Sequence, residues 1–130
     1  VDSLTQGAYY YRRADQSLEL LSEGNFRAMA GRLGLDQELP AAAAVNIYSL
    51  VDHRSVLERL GNRGYRAAQI EGGIVGGRLY LAAYAQRFGA TGLTFFDDEV
   101  IDFFSPHATG KSVMFLVALG HPDRVALGLA

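Results

Sequence analysis

The sequence predicts one mixed α/β unit in which strands and helices are interleaved, and three observations predict it. Residues 65–88, YRAAQIEGGIVGGRLYLAAYAQRF, have helical length and no proline, and after Arg66 their only charges are Glu71, Arg78 and Arg87. Residues 111–119, KSVMFLVAL, are a continuous apolar run after the first two positions, as expected inside a sheet covered on both faces. Shorter runs of β-formers alternate with helical segments that carry capping residues. At 130 residues, 49% hydrophobic and 20% charged, the chain is large enough and apolar enough for one compact domain with a real core. There is no internal repeat and no low-complexity linker.

In chain order, residues 8–13 (AYYYRR) and 17–21 (SLELL) are aromatic-rich runs joined by Ala14, Asp15 and Gln16, which predicts a β-hairpin. Asn25 is placed to cap a helix through Leu33, whose apolar positions Phe26, Met29, Ala30 and Leu33 follow helical spacing, and Gly34 is a natural stop. Pro40 opens the next segment, and 42–51 (AAAVNIYSLV) reads as a buried strand. Asp52 then caps a short helix, 54–60, and the loop 61–64 (GNRG) leads into the long helix. Beyond it come Gly89 and a strand at 90–96 (ATGLTFF). Asp97 caps a helix through Phe104, with Glu99 in its first turn, where a carboxylate suits the helix dipole, and Ser105-Pro106 ends it.

The long helix is apolar nearly all round, which belongs in a core or a subunit interface. It holds two interleaved glycine pairs, Gly72 with Gly76 and Gly73 with Gly77. Each interior glycine costs about 1 kcal/mol relative to alanine, so close approach of another backbone or a flat ligand is the expected reason for them. Glu71 and Arg78 interrupt the apolar run before about 18 residues accumulate, which argues against a membrane span.

Composition excludes several functions. The net charge of −2 gives no electrostatic footprint for nucleic acid or an anionic membrane. The absence of cysteine removes disulfides, thiolate catalysis and Cys-type zinc sites, and suits a cytoplasmic protein. The N-terminus VDSLTQG lacks the basic and apolar regions of a signal peptide, and it lacks an initiator methionine, as a processed or excised piece would. The histidines His53, His107 and His121 are scattered without ligand spacing. The carboxylates Asp97, Asp98, Glu99 and Asp102 read as capping and a solvated helix face rather than a metal site. The helical glycines do not make a phosphate loop, which requires them between strand and helix.

Several motifs in order resemble one family. Gly61-Asn62-Arg63-Gly64-Tyr65-Arg66, Ile70-Glu71-Gly72-Gly73, Leu79-Tyr80-Leu81-Ala82-Ala83, Gly89-Ala90-Thr91-Gly92 and Phe96-Asp97-Asp98-Glu99, preceded by Gly7-Ala8-Tyr9-Tyr10-Tyr11 and Leu18-Glu19-Leu20-Leu21, are similar to the SagB-type branch of the FMN-dependent nitroreductase family. That branch includes thiazoline and oxazoline dehydrogenases. The resemblance implies an α+β, nitroreductase-like fold, with a central mixed β-sheet flanked by helices and one long buried helix. It maps residues 1–130 onto the C-terminal portion of a domain that usually needs about 200 residues. It further implies FMN between the halves of a dimer and hydride transfer through the flavin N5. The cofactor-binding residues it implies are Gly92, Leu93, Thr94 and Phe95 against the isoalloxazine ring and Arg124 at the phosphate. Implied partners are a second copy or the N-terminal part of the same protein, with a small-molecule or peptide substrate and neither nucleic acid nor membrane.

Two departures narrow this reading. The family's N-terminal phosphate-binding stretch has no counterpart, because Arg12-Arg13 align with the later hairpin. Azoline oxidases carry a Lys-Tyr pair where this chain has Arg59-Leu60. Arginine stays protonated and leucine has no proton to give, so azoline oxidation is not carried over. The alternative is a non-catalytic, nitroreductase-like half-domain serving dimerisation or peptide binding, the latter through Tyr9, Tyr10 and Tyr11.

Overall fold

The computed structural model describes residues 3–123. It opens on a hairpin, β1 (Gly7–Arg12) and β2 (Ser17–Glu23), paired antiparallel as the aromatic runs predicted. Asp15 accepts hydrogen bonds from the Ser17 amide and hydroxyl and so closes the turn. Arg12 reaches Glu19 across the strands at 2.5 Å.

The elements that follow are α1 (Arg27–Leu33), α2 (Glu38–Ala42), β3 (Val45–Val51), α3 (His53–Leu60), α4 (Arg63–Ala85), β4 (Gly89–Leu93), α5 (Asp97–Phe104) and β5 (Ser112–Gly120). The second sheet runs β3-β5-β4, and both of its ladders are antiparallel where a mixed sheet was expected. The apolar run of β5 is the middle strand, with Leu116, Val117 and Ala118 at most 3% exposed. The fold class is α+β, with the hairpin forming a separate sheet.

Several element boundaries depart from the sequence reading for local reasons. The alanine run before β3 is partly helical: α2 takes Pro40, Ala41 and Ala42, good first-turn and helical residues, so the strand begins at Val45. Asn25 accepts from the Arg27 amide at 3.1 Å, but Phe26 holds the N-cap position of α1. Asp97 is the first helical residue of α5 rather than its cap, and Phe96 stands in the cap position without a side-chain bond. Asp52 does cap α3, accepting from the Ser55 amide at 3.1 Å and its hydroxyl at 2.5 Å.

A bulge in β5 decides which side chains face which layer. Ser49 pairs with Phe115 and Leu50 with Val113, which leaves Met114 as an extra residue. The insertion places Phe115 on the sheet face opposite Val113. Val113 joins buried Leu33 and Val100 in a core to which Tyr48, Leu50, Phe95, Ile101, Phe103 and Phe104 add their partly buried side chains. Met114 and Phe115 instead meet α4, against Gly72 and Gly76 respectively.

The long helix is therefore buried along one stripe, not all round. Gly64, Ala68, Gly76 and Ala83 are its buried residues. At about 100° per residue, Ile70, Gly73, Ile74, Gly77, Leu81 and Tyr84 fall on the side turned away from the sheet. There Leu81 is 71% exposed, Ile70 64%, Tyr84 56% and Ile74 52%. A β-carbon on Gly73 or Gly77 would meet nothing within 4 Å. Of the two readings for an apolar helix, core or interface, the sheet-facing stripe realises the first, and the opposite stripe has the composition of the second. No helix among the described residues is long and apolar enough to cross a membrane.

Candidate functional site

The site predicted from the sequence begins at the last two residues of β4 and continues into the connection to α5. Gly92 and Leu93 still pair with Val117 and Leu116 of β5. Beyond Leu93 the ladder stops, and the peptide N–H groups of Thr94 and Phe95 make no hydrogen bond to another described residue. Thr94 is exposed. Phe95 turns its side chain into the core cluster, so only its backbone is available to a ligand. Segment 92–95 thus offers two unpaired backbone donors beside one small polar side chain.

Both ends of the segment are anchored. At the start, the Gly92 amide donates to the Tyr80 hydroxyl of α4. The Phe115 ring occupies the notch at Gly76, and its Cζ lies 2.9 Å from where a β-carbon on Gly92 would stand. One aromatic ring therefore needs glycine on two elements at once, which accounts physically for Gly76 and Gly92. At the other end, the Phe96 amide donates to the Leu33 carbonyl at 2.9 Å. The Arg32 guanidinium lies 4.5 Å from the Phe96 ring centroid and binds both oxygens of Glu99, at 2.6 and 3.0 Å, and Asp36 at 2.7 Å. The Glu99 hydrogen bond chiefly, with the charge of Asp36, holds the guanidinium pKa above its usual value. Tyr80, named only within a resemblance motif, and Phe115 and Arg32 were given no site role from the sequence, because their roles arise from contacts between elements distant along the chain.

A recess of about 280 Å³ adjoins the segment, lined by Phe95, Phe96, Asp97, Asp98 and Glu99. Three carboxylates give it the wrong sign for a phosphate. The residue expected at the phosphate, Arg124, lies outside the described residues.

The other candidates take structural places. His53 opens α3, with Nδ1 3.2 Å from the Ser112 hydroxyl and its ring 5.3 Å from Tyr65. The His107 ring meets that of Tyr10 at a tilt, with centroids 5.2 Å apart, and its Nε2 lies 3.6 Å from Glu19. His121 meets Phe88 edge-on at 4.6 Å. Among the described residues no three His, Asp or Glu side chains converge as a metal site. The tyrosines do not form one exposed row: Tyr9 bonds the Thr5 carbonyl at 2.5 Å, Tyr10 lies under Lys111 and His107, and Tyr11 is exposed. A second recess, of about 240 Å³, separates the hairpin from the end of α5, between Leu21, Phe26, Phe103 and Pro106.

Comparison with known proteins places this geometry. No family model and no curated protein matches the sequence. Among solved structures, the chain is similar to a protein from Anabaena variabilis designated a nitroreductase, with 35% identity and a TM-score of 0.86. The match covers 93% of this chain and 25% of that one, so the chain spans about a quarter of its neighbour's length. The fold is nitroreductase-like, and the chain corresponds to part of that longer protein.

Proposed function

We propose that this chain is the C-terminal portion of an FMN-dependent oxidoreductase of the nitroreductase family, of the SagB type. The observation that carries the reading is the 35% identity over 93% of the chain to a protein designated a nitroreductase. The residues at the proposed ring site fit a flavin. Thr94 and Phe95 present unpaired N–H groups, suited to acceptor atoms on the edge of a flat heteroaromatic ring. Thr94 adds a hydroxyl, and Leu93 closes the strand end behind it.

When bound, FMN would supply hydride transfer through its N5. This chain's share would be to bind and orient: Gly92 to Phe95 would hold the ring, and the Arg32–Glu99 pair with the Phe96–Leu33 bond keeps that segment in place. The carboxylates of the adjoining recess repel a phosphate, so that group is assigned to Arg124 and to a segment from outside this chain. Arg59-Leu60 end α3, without the Lys-Tyr proton-transfer pair, and azoline oxidation is not among the proposed activities. The substrate is a small molecule or a peptide, and the compartment the cytoplasm.

The partner is a second copy or the N-terminal part of the same protein. The open stripe of α4 supports this, since it gathers Ile70, Ile74, Leu81 and Tyr84 around two glycines with free space above them. That stripe also favours a second reading, a non-catalytic half-domain kept for association. Titration of the intact protein with FMN, followed by quenching of flavin fluorescence, separates the two. Saturable stoichiometric quenching is expected. No quenching at micromolar protein would leave the half-domain reading in its place.

A further inference from the structure

The geometry points to Tyr80 as a positioning residue that sets the start of the flavin-contacting segment, an inference that rests on the flavin reading above. Tyr80 stands on the flank of the sheet-facing stripe of α4, one helical turn beyond Gly76, and is half-buried. Its hydroxyl accepts the Gly92 N–H. This is a side chain doing the work of a strand. Among the described residues β4 is an edge strand whose one ladder partner is β5. Without an acceptor from α4 the Gly92 amide would face away from the ladder unpaired, two and three residues before the N–H groups offered at Thr94 and Phe95.

The contact also lies where three elements meet. The Phe115 ring wedges between Gly76 and Gly92, so α4, β4 and β5 meet at one point, and the hydroxyl of Tyr80 lies 3.5 Å from the β-carbon position of Gly92. The edge-on Tyr84 ring, 5.9 Å from Tyr80, supports it on the same helix. A phenylalanine at position 80 keeps the ring and its packing and deletes only the acceptor. The small pyramid of contacts around Gly92 would remain, but the peptide plane would lose the bond that fixes its direction, and the two donors downstream would lose their aim.

Tyr80→Phe in the intact protein tests this with two readouts. Hydrogen exchange at single-amide resolution, without added flavin, should show the Gly92 amide exchanging about tenfold faster, with amides in the middle of β5 unchanged. FMN titration of the same variant should show affinity weakened about tenfold and a shifted visible circular dichroism spectrum of the bound flavin, whereas Tyr65→Phe, which removes an exposed hydroxyl at the start of the same helix, leaves both as in the parent. Unchanged Gly92 exchange overturns the hydrogen bond and the inference with it. Faster exchange with parental FMN affinity and spectrum also overturns it, because the bond would then be structural only. A parent protein that binds no FMN refutes the flavin reading instead, which the titration of the parent reports separately from the variant.

Discussion

Alanine at Gly76 and alanine at Gly77 should move stability in opposite directions, although the two glycines are neighbours in one helix. The difference lies in what a β-carbon would meet. At Gly77 there is nothing within 4 Å, so Gly77→Ala collects only the helix propensity gain, about 0.5–1 kcal/mol. At Gly76 the new methyl would overlap the Phe115 ring, with Cδ1 at 2.7 Å. The ring cannot retreat freely, because its Cζ is already 2.9 Å from the β-carbon position of Gly92. Overpacking of this kind costs about 1–3 kcal/mol, which exceeds the propensity gain and leaves Gly76→Ala about 1–2 kcal/mol less stable than the parent. The expected gap between the variants is about 2 kcal/mol, or roughly 6–10 °C in melting temperature at this chain length. Urea and thermal unfolding followed by circular dichroism measure it, and Phe115→Leu should recover part of the Gly76→Ala loss through the shared contact. Equal stabilities, or Gly76→Ala the more stable of the two, would refute the assignment of the glycine pairs to two different faces.

Further outcomes follow from the same contacts. Gly73→Leu fills open space, so it should leave the melting temperature of the chain within about 3 °C of the parent while weakening association; sedimentation velocity reads the second effect, and unchanged sedimentation would show that the open stripe of α4 is not an interface. Tyr48→Phe should stabilise by about 1 kcal/mol, since the buried Tyr48 hydroxyl has no hydrogen-bond partner among the described residues, and a loss of stability in urea would reveal a partner for it. Burial also pushes the Tyr48 pKa up from 10.0 to about 12, so its contribution is complete below about pH 10 and is lost as pH rises toward 12; the parent should therefore lose more stability over that interval than Tyr48→Phe does. The hydrogen bonds from Ser55 hold the Asp52 carboxyl below its ordinary value of 3.8, so the cap is fully effective above that pH and fails as pH falls further; Asp52→Asn should flatten the acid limb of the stability profile, and an unchanged limb would remove the cap from the account.

The strands, the long helix and the Asp52 cap were legible in the sequence because each depends on neighbours along the chain. Aromatic-rich runs with a polar bridge, a continuous apolar run and an Asp three residues before Ser55 state their own local outcome. What the sequence could not state was decided between elements. The four glycines of α4 look equivalent in one dimension, yet Gly72 and Gly76 receive Met114 and Phe115 while Gly73 and Gly77 face open space. That division depends on a one-residue bulge at Met114, which apolar patterning does not reveal. The near all-round apolarity of the helix left core and interface as alternatives, and periodicity alone could not show that only one stripe packs on the sheet while Gly73 and Gly77 face open space. Within the candidate site, segment 92–95 came from the resemblance as an expectation, and the inward turn of Phe95 had no signal in the sequence. Tyr80 entered the sequence reading only as part of the motif Leu79-Tyr80-Leu81-Ala82-Ala83. Its hydrogen bond to Gly92 spans twelve positions and requires the helix and strand to be packed before it can form.

The visible absorption spectrum of the intact protein, as purified, tests the central claim most directly. A flavin-binding nitroreductase portion predicts the two-banded absorption of oxidised flavin, released as FMN on denaturation and bleached by a chemical reductant under anaerobic conditions. A colourless protein that stays colourless after incubation with FMN would contradict the claim, and the long helix would then be explained by association alone.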